Sequence, residues 1–249
     1  MSRAARDVDP RPQVLAGTSG FAFPEWRGRF YPQDLPEDRF LQYYAAQLPT
    51  VEVNATFYRM PPEATLRAWA EQTPAGFQFA VKAHRRITHL KRLHRVDSEL
   101  RWTAERLEAL GSHLAVVLFQ CPPSLRRDPE LLEDFLASLP PFPRVALEFR
   151  HPSWFQEDTY ERLRRYRVAL CAAEDEEGCD PVVWTAPFGY LRLHRLRYGR
   201  DELLAWAQRL REAPVSQVFC YFTHDTGPEA VKFARALMQL CAREASPAC

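Results

Sequence analysis

Eight times along the chain a run with hydrophobic period 2 gives way to one with period 3.6, and this alternation restricts the fold more than any single motif. The period-2 runs predict strands at 13–18, 51–54, 77–82, 114–120, in the stretch 144–155, and at 168–172, 190–194 and 217–223. The helical runs fall at 37–47, 62–72, 97–110, 129–138, 156–165, 200–211 and 228–242, with only a weak short helix expected after the sixth strand. Eight strand–helix units in 249 residues match one TIM-type (β/α)8 barrel, an α/β single domain of about 250 residues. The rival is an open doubly wound sheet with a glycine-rich phosphate loop after its first strand. Here GTSGF lacks the GxGxxG spacing. The expected layout is a loose tail at 1–12, the barrel at 13–243 and a short tail at 244–249. Neither an internal repeat nor a dividing linker is apparent.

Residue parity within the strands carries the functional reading. In 144–155, RVALEFRHPSWF, Val145, Leu147 and Phe149 alternate with Ala146, Glu148 and Arg150, and His151-Pro152 then stops the ladder. The polar parity of the other strands holds Glu52 and Asn54, Gln78 and Lys82, Gln120, and Arg192 and His194. In a barrel covered by helices these side chains have only the interior to occupy. They are therefore expected at the mouth, where a barrel places its active face. Lys82, Arg150 and Arg192 outnumber Glu52 and Glu148 by one, so the mouth is expected to bind an anion such as a phosphate or carboxylate. The alternative is a buried salt-bridge network that merely fixes register.

Charge is uneven along the chain. Residues 82–96, KAHRRITHLKRLHRV, hold six basic residues, three histidines and no acid, within a chain of net charge +1. Such a patch attracts phosphate-bearing partners, and Arg85, Arg86, Lys91 and Arg92 are its candidate nucleic-acid contacts. It contains no aromatic residues on which bases would stack. After the sixth strand, Glu174, Asp175, Glu176, Glu177 and Asp180 form an acidic rim with one or two candidate ligands for a hard metal such as Mg²⁺. No HExxH, EF-hand or Walker motif occurs, and the histidines have no ligand spacing, so a divalent metal is open but not favoured and the cofactor is left undetermined. Ser19, Ser124 and Ser153 lack nucleophile-elbow glycines. Proton transfer is better served: Glu148 as a base, His194 titrating near neutrality, and Lys82 with a lowered pKa. Phe21, Phe23, Trp26, Phe57, Tyr58, Trp154 and Tyr221 are candidates to wall an organic pocket.

The six cysteines form no CxxC pair, no apolar run approaches bilayer length, and the N-terminus lacks a signal-peptide core. A reduced cytoplasmic protein with no membrane partner is the expectation, of undetermined oligomeric state.

Seven segments in order, GTSGFAFPEWRGRFYP, TVEVNATFYRMP, FQFAVKAHRRITH, LFQCPPSL, RVALEFRHPSWF, YLRLHR and YFTHD, resemble the hallmarks of the domain of unknown function 72 (DUF72) family, the YecE-like proteins. The resemblance spans Gly17 to about Leu240 and implies a TIM-type barrel without implying a reaction. It carries over the polar positions Asn54, Thr56, Tyr58, Lys82, Gln120, Glu148, Arg150, His151, Trp154, Arg192, His194 and Asp225. The chain departs from the family's pattern at Arg195, where glycine is usual, and in the closing run Tyr221–Asp225, often an asparagine-bearing YFNN-like sequence. Together these readings predict a hydrolase or lyase working by general acid–base chemistry. Lys82, Glu148 and His194 would be catalytic, and Asn54, Tyr58, Gln120, Arg150, His151, Trp154, Arg192 and Asp225 would hold an anionic ligand, a phosphorylated or carboxylated small molecule or a nucleotide. A nucleic-acid-associated barrel, endonuclease-like by fold analogy, is the second reading.

Overall fold

Parallel pairing closes almost completely around a central axis in the computed structural model, which describes residues 11–223 and 227–242. The strands are β1 (Gln13–Thr18), β2 (Thr50–Val53), β3 (Gln78–Lys82), β4 (Leu114–Gln120), β5 (Val145–Glu148), β6 (Ala169–Asp175), β7 (Gly178–Cys179), β8 (Phe188–Leu193) and β9 (Gln217–Phe222). Their order is β1-β9-β8-β6-β5-β4-β3-β2, all parallel, with the two-residue β7 pairing antiparallel to β6. Helices α1 (Phe40–Ala45), α2 (Glu63–Glu71), α3 (Asp97–Leu107), α4 (Pro129–Ala137), α5 (Glu157–Tyr166) and α6 (Arg200–Arg211) lie in the crossovers, and α7 (Glu229–Ala242) follows the last strand. The weak helix expected after the sixth strand is absent among the described residues. Instead β6 runs on to Asp175 and turns back as β7, because the Asp175 side chain accepts from the amides of Glu177 and Gly178. The first predicted helix is also shorter, a 3₁₀ turn over Glu37–Arg39 leading into α1.

Parity sorts the side chains as a barrel requires. One set (Val51, Val53, Phe79, Val81, Leu147, Phe149, Leu191, Leu193, Val218, Cys220) packs beneath the helices. The other (Leu15, Ala80, Val116, Leu118, Ala146, Ala169, Cys171, Phe188, Tyr190, Phe219, Tyr221) fills the lower interior with hydrocarbon and two phenols. At the N-terminal end Arg144 lies over the rings of Phe188 and Phe219, capping that apolar floor. Gln78, grouped by parity with the mouth, sits instead at the opposite end. Its amide reaches the carbonyls of Phe77 and Ser112, since it opens β3 while Lys82 closes it.

The seam between β1 and β2 carries no backbone ladder, and a tyrosine replaces it. The Tyr44 hydroxyl on α1 accepts from the Thr18 amide at 2.9 Å and donates to the Thr50 carbonyl at 3.1 Å. At Gly17 a Cβ would stand 2.1 Å from the Thr50 carbonyl oxygen, so only glycine permits the two strands to meet there.

Candidate active site

Three backbone hydrogen bonds prolong the ladder one residue past the strand ends and set the rim. Ser19 N donates to Phe222 O, Thr223 N to Leu193 O, and His194 N to Glu174 O. They bring Ser19 and His194 together at the mouth, their Oγ and Nε2 atoms 3.1 Å apart. Across the barrel, the chain leaves β2 at Asn54 into a 3₁₀ turn over Ala55–Phe57. The Thr56 hydroxyl lies 2.7 Å from the Lys82 carbonyl and ties that turn to the end of β3. Phe57 is thereby set beneath the ammonium, with Lys82 Nζ 4.2 Å from its ring centroid.

At the centre lies a buried ionic cluster. Glu52, Glu148 and Arg192 are 0%, 1% and 4% exposed. Arg192 bridges the two carboxylates, with Nη2 3.0 Å and Nε 3.1 Å from the two oxygens of Glu52, and Nη1 2.9 Å from Glu148 Oε2. Glu52 also accepts from Tyr190 OH (2.7 Å), Ser19 Oγ (2.9 Å) and Asn54 Nδ2 (3.1 Å). Glu148 has Gln120 Nε2 at 2.8 Å from both its oxygens and Arg150 Nε at 3.0 Å. Burial alone would drive both carboxyls up, but Arg192 and the converging donors outweigh it. Glu52 is lowered, and Glu148 is brought down to about 2. A carboxylate so saturated holds charge rather than accepting a proton, and this argues against Glu148 as the base.

The groups left facing solvent differ in kind. A cavity of about 520 Å³ opens over the cluster, lined by Ser19, Asn54, Lys82, Arg150, Arg192 and His194 on its polar side. Its apolar wall comes from Phe21, Phe23, Val53, Tyr58 and Trp69. No carboxylate among the described residues lies within 4.0 Å of Lys82 Nζ, whereas Arg150 meets Glu148 yet keeps a half-exposed side chain. Burial, then the charge of Arg192, lowers Lys82 to about 8. Burial, then Arg192 again, lowers His194 to about 4, leaving its ring neutral. Because the Ser19 hydroxyl is directed to Glu52, the His194 Nε2–H is the donor in the contact between them. Asn54 Oδ1 is buried without a hydrogen-bond partner. A second hollow of about 450 Å³, on the far side of Arg150 and His194, is lined by Glu148 and the acidic β6–β7 turn.

Of the residues predicted from sequence, Asn54, Tyr58, Lys82, Arg150, Arg192 and His194 line the cavity, and Gln120 and Glu148 support it from within. Two others have different tasks. His151 caps a 3₁₀ turn, its Nδ1 accepting from the Ser153 amide. Trp154 is fully buried, stacks on Phe149 and donates to the Leu125 carbonyl. A turn follows directly on β5 and carries both away from the mouth. Asp225 lies outside the described residues.

The basic loop has partners of its own: Arg86 and Lys91 both bind Glu99, and Arg92 reaches Ser124, while Arg85 is exposed. The acidic rim is likewise occupied, with Glu174 accepting from Tyr198 and Trp206, and Asp180 from the Ala173 amide. Among the described residues no group of three or more His, Cys, Asp or Glu side chains is arranged to hold a metal ion. Tyr190 escaped the sequence reading although it shares the inward parity of its strand, which was the available signal, and Ser19, weighed there only as a nucleophile, lies one residue past the end of β1. Trp69 comes from α2, where no sequence pattern pointed to the mouth.

Comparison with known proteins bears on the whole chain. It is 28% identical over 255 residues to the UPF0759 protein YunF of Bacillus subtilis, covering 84% of this chain and 89% of that one. It is 33% identical over 124 residues to the UPF0759 protein YecE of Escherichia coli K12, 49% of this chain and 45% of the relative. The crystal structure of a DUF72 family protein from Thermotoga maritima superposes with a TM-score of 0.80 at 26% identity, covering 93% of this chain and all (100%) of that one. One from Enterococcus faecalis gives a TM-score of 0.77 at 16% identity, over 93% of this chain and 96% of that one, a likeness of fold alone. The sequence model for the protein of unknown function DUF72 matches residues 15–248, and the chain belongs to that family.

Proposed function

We propose that the barrel mouth binds a small organic acid, carboxylate or phosphate, with an apolar body, and that the protein is an enzyme acting on it by proton transfer. One observation carries this reading. Glu52 and Glu148 are turned inward and saturated, while Lys82 and Arg150 present positive charge to a cavity whose other wall is hydrocarbon. An anionic head would meet the two cations and an apolar body would lie against Phe21, Tyr58 and Trp69. Lys82 is the group suited to move protons near neutrality, the neutral His194 ring is lowered too far to titrate there and serves as a hydrogen-bonding group, and Arg192, held by Glu52 and Glu148, is a fixed source of positive potential. A lyase or hydrolase acting on a carboxylated or phosphorylated metabolite fits these parts.

Calorimetric titration tests the reading, with phenyl phosphate and phenyllactate as acids and benzyl alcohol as the neutral counterpart. Binding of the acids alone, weakened about tenfold or more by Arg150→Gln, is expected. Equal binding of the neutral compound, or indifference to Arg150→Gln, overturns it. The nucleic-acid reading draws less support, because Arg86, Lys91 and Arg92 already have partners in the chain. A steep salt dependence of DNA or RNA binding, lost when Arg85 is neutralised with them, would revive it.

A further inference from the structure

The chain has three lysines, and they are not equivalent. Lys91 is held by Glu99 at 2.8 Å and Lys232 by Glu229 at 3.0 Å. Lys82 has no carboxylate within reach among the described residues. Its Nζ rests on the Phe57 ring and opens on the cavity. We propose that Lys82 is an amine nucleophile that captures the carbonyl carbon of a small oxo acid as an imine, with Arg150 holding the acid's carboxylate. The substrate class deepens the anion-binding reading and rests on it. The reactivity of the amine does not.

The surroundings suit each stage of that reaction. The neutral amine adds its lone pair to the carbonyl carbon, forming the C–N bond, and the C=O π pair moves to oxygen. That oxygen takes up a proton while nitrogen releases one, giving a carbinolamine. The C–O bond then breaks, water departs with a second proton, and a protonated imine remains, so no oxidant or reductant is consumed. The first stage needs unprotonated amine near neutral pH, and the lowering of Lys82 to about 8 supplies a fraction of it. The carbinolamine stage creates a hydroxyl donor inside the cavity. Asn54 lines the same cavity with its amide orientation fixed, because Nδ2 donates to Glu52, and its Oδ1 is buried beside the cavity without a partner. The His194 ring on the same wall is neutral and adds no positive charge beside the amine. The protonated imine keeps the positive charge of the ammonium it replaces, over the same Phe57 face.

Borohydride trapping decides the matter, read by peptide mass spectrometry of the full chain incubated at pH 7.5 with pyruvate or with acetaldehyde. Pyruvate is expected to leave a reduced adduct on the Lys82 peptide at least tenfold above Lys91 and Lys232, and none there in Lys82→Arg. Acetaldehyde, which has no carboxylate, reports the change in the amine itself, since Arg150 is one of the charges that lower Lys82, and pyruvate labelling should fall severalfold further than acetaldehyde labelling in Arg150→Gln. Absence of any Lys82 adduct, or labelling spread evenly over the three lysines, overturns the amine's role. Lactate binding measured by calorimetry then shows whether anion binding survives on its own. Strong labelling by both carbonyls that changes equally in Arg150→Gln keeps the nucleophile and removes the oxo acid.

Discussion

Arg192 and Glu52 face each other across the barrel interior, joined at 3.0 and 3.1 Å between two guanidinium nitrogens and both carboxylate oxygens, with neither residue more than 4% exposed. The same guanidinium reaches Glu148, so one cation from β8 holds two anions from β2 and β5. Removing the cation would leave two buried carboxylates without their counter-charge. Arg192→Met is therefore expected to lose about 3–5 kcal/mol of stability in urea unfolding. Adding Glu52→Gln and Glu148→Gln should return much of that loss. A single substitution within about 1 kcal/mol of wild type would show that the pair is not the buried keystone described here.

Lys82 stands in the opposite relation to stability. Its ammonium is largely desolvated with no carboxylate at contact distance among the described residues, so the folded state carries it at a disadvantage. Lys82→Met is expected to stabilise the protein at pH 7 by about 1–2 kcal/mol, after allowance for solvent screening at the open mouth. The gap should narrow as pH rises from about 8 towards 10.5, where the unfolded chain also loses its proton. A destabilised Lys82→Met would mean that the cation is serving the fold.

Acid should weaken the protein in two stages. His194 titrates at about 4 in the folded state against 6.5 ordinarily. As pH falls from 6.5 to 4 the unfolded chain takes a proton that the folded one refuses, and stability declines. Asp180, raised to about 6 by burial, works against this in part, since the folded state binds its proton first. Below about 4.5, protonation of Glu148 in the unfolded chain removes the stability stored in its depressed pKa, progressively down to about 2. His194→Gln should flatten the first stage and leave the second, as followed by melting temperature from pH 7 to 3. An unchanged profile between pH 6.5 and 4 would count against a neutral buried His194.

The β1–β2 seam gives a test of the fold itself. Tyr44→Phe removes the hydroxyl that stands in for a ladder bond, stranding the Thr18 amide and the Thr50 carbonyl. A loss of about 1–3 kcal/mol is expected, with hydrogen exchange accelerated in β1 and β2 ahead of the other strands. Uniform exchange across the barrel would place the weak point elsewhere.

The barrel was legible because parallel strands under helices leave a period-2 record, as at Val145–Glu148 and Phe188–Leu193, and because turn chemistry marks their ends. The convergence of Glu52, Lys82, Glu148, Arg192 and His194 followed from the same parity. Their division of labour did not. Whether Glu148 takes protons or Lys82 lacks a counter-ion depends on distances between residues 40 to 140 positions apart, to which local pattern is blind. Parity also says nothing of residues past a strand's end. There His151 and Trp154 turned away with the chain, and Ser19 turned in. The basic run at 82–96 shows the same limit, since its partner Glu99 lies beyond it on α3.

The most direct test of the account titrates one lysine. With ¹³C-lysine incorporated, three ε-carbon resonances report the three ammonium groups, and Lys82→Arg identifies one of them. The Lys82 resonance is expected to titrate near 8 and to move upward by about 1 unit or more when phenyl phosphate occupies the mouth, because a bound anion favours the charged amine. A Lys82 resonance that titrates at the ordinary lysine value of about 10.4 and ignores the added anion would contradict it.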